Sequence, residues 1–98
     1  MSEYNSMLMG ANFRPEEAKA LVKALGIGET VEARRDPDNQ FDPNAIALYA
    51  EGEHIGFIER GLAEELAPIM DDGASLIVTV SGFVQPLKPY LDIDIEPA

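Results

Sequence analysis

Asp36, Asp38, Asp42 and Asn44 stand at positions one, three, seven and nine of the run Asp36 to Ile46, DPDNQFDPNAI. Oxygen-bearing side chains at those offsets are the beginning of a calcium loop. The pattern then breaks. Phe41 stands where the sharp turn needs Gly, and Ala47 where a bidentate Glu would close the cage. With His54 the only histidine and no Cys, a zinc set is also absent. No metal or other cofactor is therefore expected. What the run does hold is three aspartates, two asparagines, two prolines and one aromatic between two strand-like segments, ETVEARR and AIALYA. A loop of so many polar groups is costly to order unless they bond to one another or to a ligand. Asp36, Pro37, Pro43 and Asn44 suit turn capping and fixed backbone geometry. Phe41 does not, because turn chemistry asks there for a small or polar residue. An aromatic beside a carboxylate in such a loop points to a small recognition site.

Catalysis is not expected. The chain lacks a Cys nucleophile and a Gly-rich phosphate loop, and Ser75 and Ser81 have no plausible His partner. Carboxylates are so frequent here that their pairing carries no signal.

The elements that must position the loop follow from periodicity. Met7 to Phe13 reads as a first strand. Pro15 opens a helix, with Glu16 and Glu17 in its first turn. Ala18, Leu21, Val22 and Leu25 form one apolar stripe, and Gly26 and Gly28 end the helix. Thr30 to Arg35 alternates, with Val31 and Ala33 on one face and Glu32 and Arg34 on the other. Ala45 to Tyr49 and Ile55 to Ile58 are two further strands, joined at the turn Glu51-Gly52-Glu53. A second helix spans Gly61 to Met70, and Asp71-Asp72-Gly73 ends it. Ser75 to Val84 is a long strand in which Gly82 marks a bend or bulge. The loop Gln85 to Pro89 holds two prolines. Tyr90 to Ile95 places Leu91, Ile93 and Ile95 inward, and Asp92 and Asp94 outward, where they could guard a sheet edge. Leu21, Val31, Ile46, Leu48, Ile55, Leu66, Val78 and Ile93 are expected to share one core.

Six short strands and two helices in 98 residues suggest one mainly β domain, a small, partly closed barrel with its helices outside. Pattern alone leaves the topology open. MSEYNSMLMG has neither a basic start nor an apolar stretch, so no signal peptide is expected. No run approaches a membrane span, and a cytoplasmic protein is expected.

The net charge of −11, from 18 acidic and 7 basic residues, opposes general phosphate binding. The cations are unevenly placed. Arg14 lies in GANFRP, Arg34 and Arg35 in GETVEARRDPDNQFDPNAIALY and Arg60 in IGFIERGLAEELAPIMDDG, with Lys19 and Lys23 on the first helix and Lys88 in a late loop.

Three stretches carry a resemblance that covers nearly the whole chain. They are GANFRP (Gly10 to Pro15), GETVEARRDPDNQFDPNAIALY (Gly28 to Tyr49) and IGFIERGLAEELAPIMDDG (Ile55 to Gly73), followed by a strand pair. Together they resemble the HIRAN domain, a small module of DNA-remodelling ATPases that also occurs alone in bacteria and phage. The resemblance implies a six-stranded OB-like or SH3-like barrel with helices packed outside, over residues 1–98. It implies a non-catalytic module that binds the 3′ end of single-stranded DNA and serves repair, replication or processing. It assigns Asn39, Phe41 and Asp42 to that end, the aromatic stacking on a base and the acid accepting from the 3′-hydroxyl. Backbone N–H groups around Asn39 would help hold phosphate. Phe13 matches a second stacking aromatic, or else ends the first strand in the core. Arg60 matches a basic residue where a helix N-terminus and a cation could share a phosphate. Phe57 matches a position where a polar ring can occur, or else packs in the barrel. Two departures stand out. Asn12 and Glu59 replace basic residues, and Arg14 would have to supply the first charge from the other side of Phe13. The acidity and both departures favour an alternative, a protein-interaction module that has kept the fold without DNA.

Overall fold

The computed structural model describes residues 3–85 and 90–98. The elements are β1 (Tyr4–Met7), a 3-10 turn (Ala11–Phe13), α1 (Glu16–Ala24), β2 (Thr30–Arg35), β3 (Ile46–Ala50), β4 (Glu53–Phe57), α2 (Arg60–Asp71), β5 (Leu76–Gln85) and β6 (Tyr90–Pro97). The expected strand over Met7 to Phe13 is thus shorter and earlier. Gly10 adopts a left-handed conformation and turns the chain into the 3-10 turn. The expected proline loop, Lys88 included, falls on residues 86–89, outside the described residues.

All six strands form one sheet in the order β1-β6-β5-β2-β3-β4, and every pair is antiparallel. β6 therefore lies between β1 and β5. Asp92 and Asp94 do not guard an edge; Asp94 instead accepts from the Asn5 amide on β1. The sheet curls until Met9, just past β1, reaches β4. The Met9 N–H donates to the Phe57 carbonyl at 2.9 Å, and the Phe57 N–H donates back at 2.8 Å. This bridge links the two edges of the sheet and leaves fewer edge groups unpaired. Gly56 makes the approach possible. A β-carbon at this residue would lie 2.6 Å from Leu8 Cδ1 and 2.6 Å from the Met9 carbonyl oxygen.

Alternation sets the inside. Ile46, Leu48 and Ala50 of β3 face the core with Ile55, Val78, Val80, Leu91, Ile93 and Ile95. Ala18 and Val22 of α1, and Ala63 and Leu66 of α2, join the same cluster. Seven of the eight expected core side chains are buried; Leu21 is only partly so, at the rim of the α1 contact. In β5 the ladder passes from Val80–Ile93 to Gly82–Asp92, so Ser81 is an extra residue and the bulge expected near Gly82 is present. The β3–β4 hairpin turns on Glu51 and Gly52, both with positive φ (49° and 81°), as a tight two-residue turn of this hand requires.

The outer face of β2–β3–β4 carries a chain of ring contacts. The Arg34 guanidinium lies 4.0 Å from the Tyr49 ring centroid. Tyr49 stacks on His54 with centroids 5.2 Å apart, and His54 meets Phe57 edge-on at 4.7 Å. Arg34 also bonds Glu32 at 2.9 Å. That contact holds the Glu32 carboxyl below its usual range. The His54 imidazole is pushed below its usual value, first by burial and then by the nearby Arg14 charge.

Two outcomes follow. Gly56→Ala drives a methyl into Leu8 and the Met9 backbone. It should destabilise the fold by about 1–3 kcal/mol or more, read as a lowered denaturant midpoint with an unchanged m-value. His54 resists protonation in the fold, so the unfolded chain takes up the proton first on acidification. Its contribution to stability is complete above the ordinary histidine range and falls as pH drops through that range. His54→Gln should flatten the dependence of Tm on pH between about 7 and 5.

Candidate nucleic-acid interface

The loop between β2 and β3 is ordered mainly by its own side chains. The Asp36 N–H donates to the Ala45 carbonyl at 2.9 Å and the Ala45 N–H to the Asp42 carbonyl at 3.0 Å. Asn39 is the central knot. Its Oδ1 accepts from the N–H groups of Phe41 (2.9 Å) and Asp42 (3.0 Å). Its Nδ2 donates to Asp36 Oδ2 at 3.1 Å. The Asp42 Oδ1 accepts from the Asn44 N–H at 2.9 Å. These are Asx turns, in which a short polar side chain replaces a backbone partner. The N–H groups of Phe41 and Asp42 are occupied within the loop, and that of Asn39 bonds the Asp36 carbonyl at 3.1 Å, so these three are not free to hold phosphate.

Arg35 ties this loop to the body of the protein. It donates to the carbonyls of Ala45 (2.7 Å) and Pro43 (3.0 Å) and pairs with Asp71 at the end of α2 (2.9 Å). Only 14% of its side chain is exposed. A guanidinium presents several donors in one plane, and three acceptors from two elements are therefore held at once.

With its polar groups turned inward, the loop leaves Phe41 standing out, 80% exposed. Beneath it is a pocket of about 270 Å³. Met9, Phe41, Ala45, Phe57 and Ile58 form its apolar wall, and Asn39, Asp42 and Arg60 its polar side. Five residues singled out from sequence, Asn39, Phe41, Asp42, Phe57 and Arg60, thus meet around one cavity. Met9, Ala45 and Ile58 had no local signal. Met9 arrives only through the bridge to Phe57, and Ala45 and Ile58 are the strand ends that the bridge and the loop bring together.

The charge of the pocket lining balances, with one carboxylate and one guanidinium. Arg60 Nε lies 3.9 Å from Asp42 Oδ2, and the Arg60 side chain is 76% exposed against 17% for Asp42. A pair so exposed on one side is weak. The Asp42 Oδ2 remains the oxygen on which a hydroxyl donor could act, since Oδ1 serves the loop.

The start of α2 differs from expectation. Glu59 is its N-cap, and its carboxylate accepts from the N–H groups of Gly61 (3.0 Å) and Leu62 (3.3 Å). The anion site of the helix is filled by the protein's own carboxylate. Arg60 is therefore a cation without help from those N–H groups.

Phe13 and Arg14 lie apart from the pocket lining. Phe13 is 89% exposed on the 3-10 turn, so it is not a core residue. Arg14 donates from Nε to the His54 carbonyl at 2.9 Å, which fixes its stem against β4. Phe57 is half-buried rather than packed away inside the barrel, one side of its ring against His54 and another toward the pocket. Among the described residues no three His, Cys, Asp or Glu side chains gather to hold a metal, and no helix is long and apolar enough to cross a membrane.

Solved structures share this architecture. A protein from Lactobacillus plantarum superposes with a TM-score of 0.87 at 23% identity, over 99% of this chain and 93% of that one. The HIRAN domain of human HLTF gives a TM-score of 0.78 at 23% identity, over 96% of this chain and 73% of that one. The HLTF HIRAN domain in its DNA-bound conformation, solved by NMR, gives 0.57 at 24% identity, over 97% and 75%. No curated protein sequence matches the chain. The family model of the HIRAN domain matches residues 2–95, nearly the full 98-residue length, and the chain belongs to the HIRAN-domain family.

Proposed function

We propose that this chain is a non-catalytic module that binds the 3′-hydroxyl end of single-stranded DNA in the pocket under Phe41. The observation that carries the reading is the Asp42 carboxylate, anchored to the loop through one oxygen and facing Arg60 with the other, beside an exposed aromatic. A carboxylate repels an internal or terminal phosphate but accepts from a free hydroxyl. Phe41 offers a base a stacking face, which is indifferent to base identity. Arg60, with most of its side chain in solvent, meets the phosphate one step back. A similar fold in a DNA-bound state, that of the HLTF HIRAN domain, supports the nucleic-acid part of this reading.

A second reading has its own observation. Glu59 fills the anion site at the start of α2 in a chain of net charge −11, and both features suit a basic protein partner better than a polyanion. The two readings separate on oligonucleotides alone, since a protein-partner module binds none of them.

The decisive measurement is affinity for short single strands that differ only at the 3′ terminus. Wild-type protein should prefer a 3′-hydroxyl to a 3′-phosphate or a circular strand. Asp42→Asn keeps an acceptor for the Asn44 N–H and removes the charge. It should cost 3′-hydroxyl binding on the order of 1.5–3 kcal/mol and narrow the gap to 3′-phosphate. Phe41→Ala should weaken both ends alike, by about 1–3 kcal/mol. Equal binding of hydroxyl, phosphate and circular strands by the wild type would rule out end recognition.

Because few cations reach phosphate, the salt dependence should be shallow. Arg60→Glu should lower affinity for all sequences alike. A steep salt slope in the wild type would mean that the contacts lie elsewhere.

A further inference from the structure

We infer that Arg34, held over Tyr49, is a second backbone contact for a single strand leaving the pocket, reached across the outer face of β2–β3–β4. The inference rests on the end-binding reading and extends it to a site about three nucleotides from the end.

The path follows from strand alternation. In β3, Ile46, Leu48 and Ala50 face the core, so Ala45, Ala47 and Tyr49 share the outer face. Ala45 is already part of the pocket. The next residue on that face, Ala47, pairs with Phe57 on one side and with Arg34 on the other. Phe57 lines the pocket. Arg34 thus stands in the same transverse row as the pocket wall, two strand spacings away, or about 10 Å. Between them lies the short side chain of Ala47, itself buried at 3% exposure, so the strand would pass above it from Phe57 to Arg34. A stacked single strand advances about 3.4 Å per nucleotide, so three nucleotides span the gap.

The side chain at the end of that path suits a phosphate. The Tyr49 ring supports the guanidinium from below at 4.0 Å, and Tyr49 is held in turn by His54 at 5.2 Å. A planar cation fixed on an aromatic face loses less freedom when it takes a ligand. The Arg34 side chain is half exposed, and its sole ion pair among the described residues is Glu32 at 2.9 Å. That pair is itself 60% exposed on the carboxylate side, the kind of surface contact a phosphate can displace. Arg35, one residue on, points to the other side and is committed to the loop and Asp71. Neither Arg34 nor Tyr49 lines the pocket.

The test compares a 3′-hydroxyl dinucleotide with an eight-nucleotide strand of the same 3′ end, for wild type, Arg34→Ala and Glu32→Gln. Arg34→Ala should weaken the longer strand by about threefold to tenfold and leave the dinucleotide unchanged. It should also reduce the salt slope for the longer strand by about 0.7, the value for one phosphate on a single strand. Glu32→Gln frees the guanidinium and should strengthen only the longer strand, an outcome that unfolding could not produce. If Arg34→Ala leaves the longer strand and its salt slope unchanged, or weakens both lengths equally, the inference is overturned while end binding by the dinucleotide stands. If the wild type binds neither strand, the end-binding reading falls and this inference with it.

Discussion

The bridge between Met9 and Phe57, across a glycine with no room for a methyl, is the constraint from which the site descends. Two backbone hydrogen bonds turn an open six-stranded sheet into a barrel-like wall. Once Met9 is fixed, Phe57 has a neighbour on the far side, and Ile58 enters the mouth of the β2–β3 loop. A larger residue at Gly56 would collide with the Leu8 side chain and the Met9 carbonyl and force these strands apart. The pocket would then lose one wall, although none of its polar residues had changed.

The loop spends most of its polar groups on its own structure. Asn39 spends its amide oxygen on two backbone N–H groups, and Asp42 spends one carboxylate oxygen on a third. Such bonds offset the entropy of ordering a polar segment, because each polar group gains a partner within a few residues. What they leave over is small and directional: one carboxylate oxygen, one ring face and a nearby guanidinium. Arg35 then fixes the loop to α2, so the geometry is that of a rigid element although it is built on a turn.

Charge is handled locally. The chain carries a large negative excess, yet the pocket lining is balanced and the outer face of β2–β3–β4 holds Arg34 over an aromatic ring. Glu59 works the other way. By capping α2 it satisfies two N–H groups and removes the partial positive charge that an incoming anion would find there. A site of this kind has little general affinity for a polyanion. Under the proposed end-binding reading, discrimination comes from contacts that a free hydroxyl can make and a phosphate cannot.

Local order was plain in the amino-acid sequence. Period-two alternation marked the inner faces of β2 and β6, an apolar stripe marked α1, and the Asp, Asn and Pro run marked a loop with an aromatic out of place. The family was also legible there, because its motifs are local runs at fixed spacing. Adjacency was not. Alternation says which face of a strand is buried, but not which strand lies beside it, and so Asp92 and Asp94 were expected on an edge that belongs to β1 and β4. Asn39 and Asp42 carry no mark of the partners their oxygens select, and a Glu before a helix reads equally as a departure from a basic pattern and as a cap. Barrel closure, the Arg35 clamp, the capping of α2 and the row that joins Phe57 to Arg34 all depend on contacts between residues distant in the chain. Those contacts form only when the sheet has curled and its hydrogen bonds have chosen a register, and that choice was made by the tertiary structure alone.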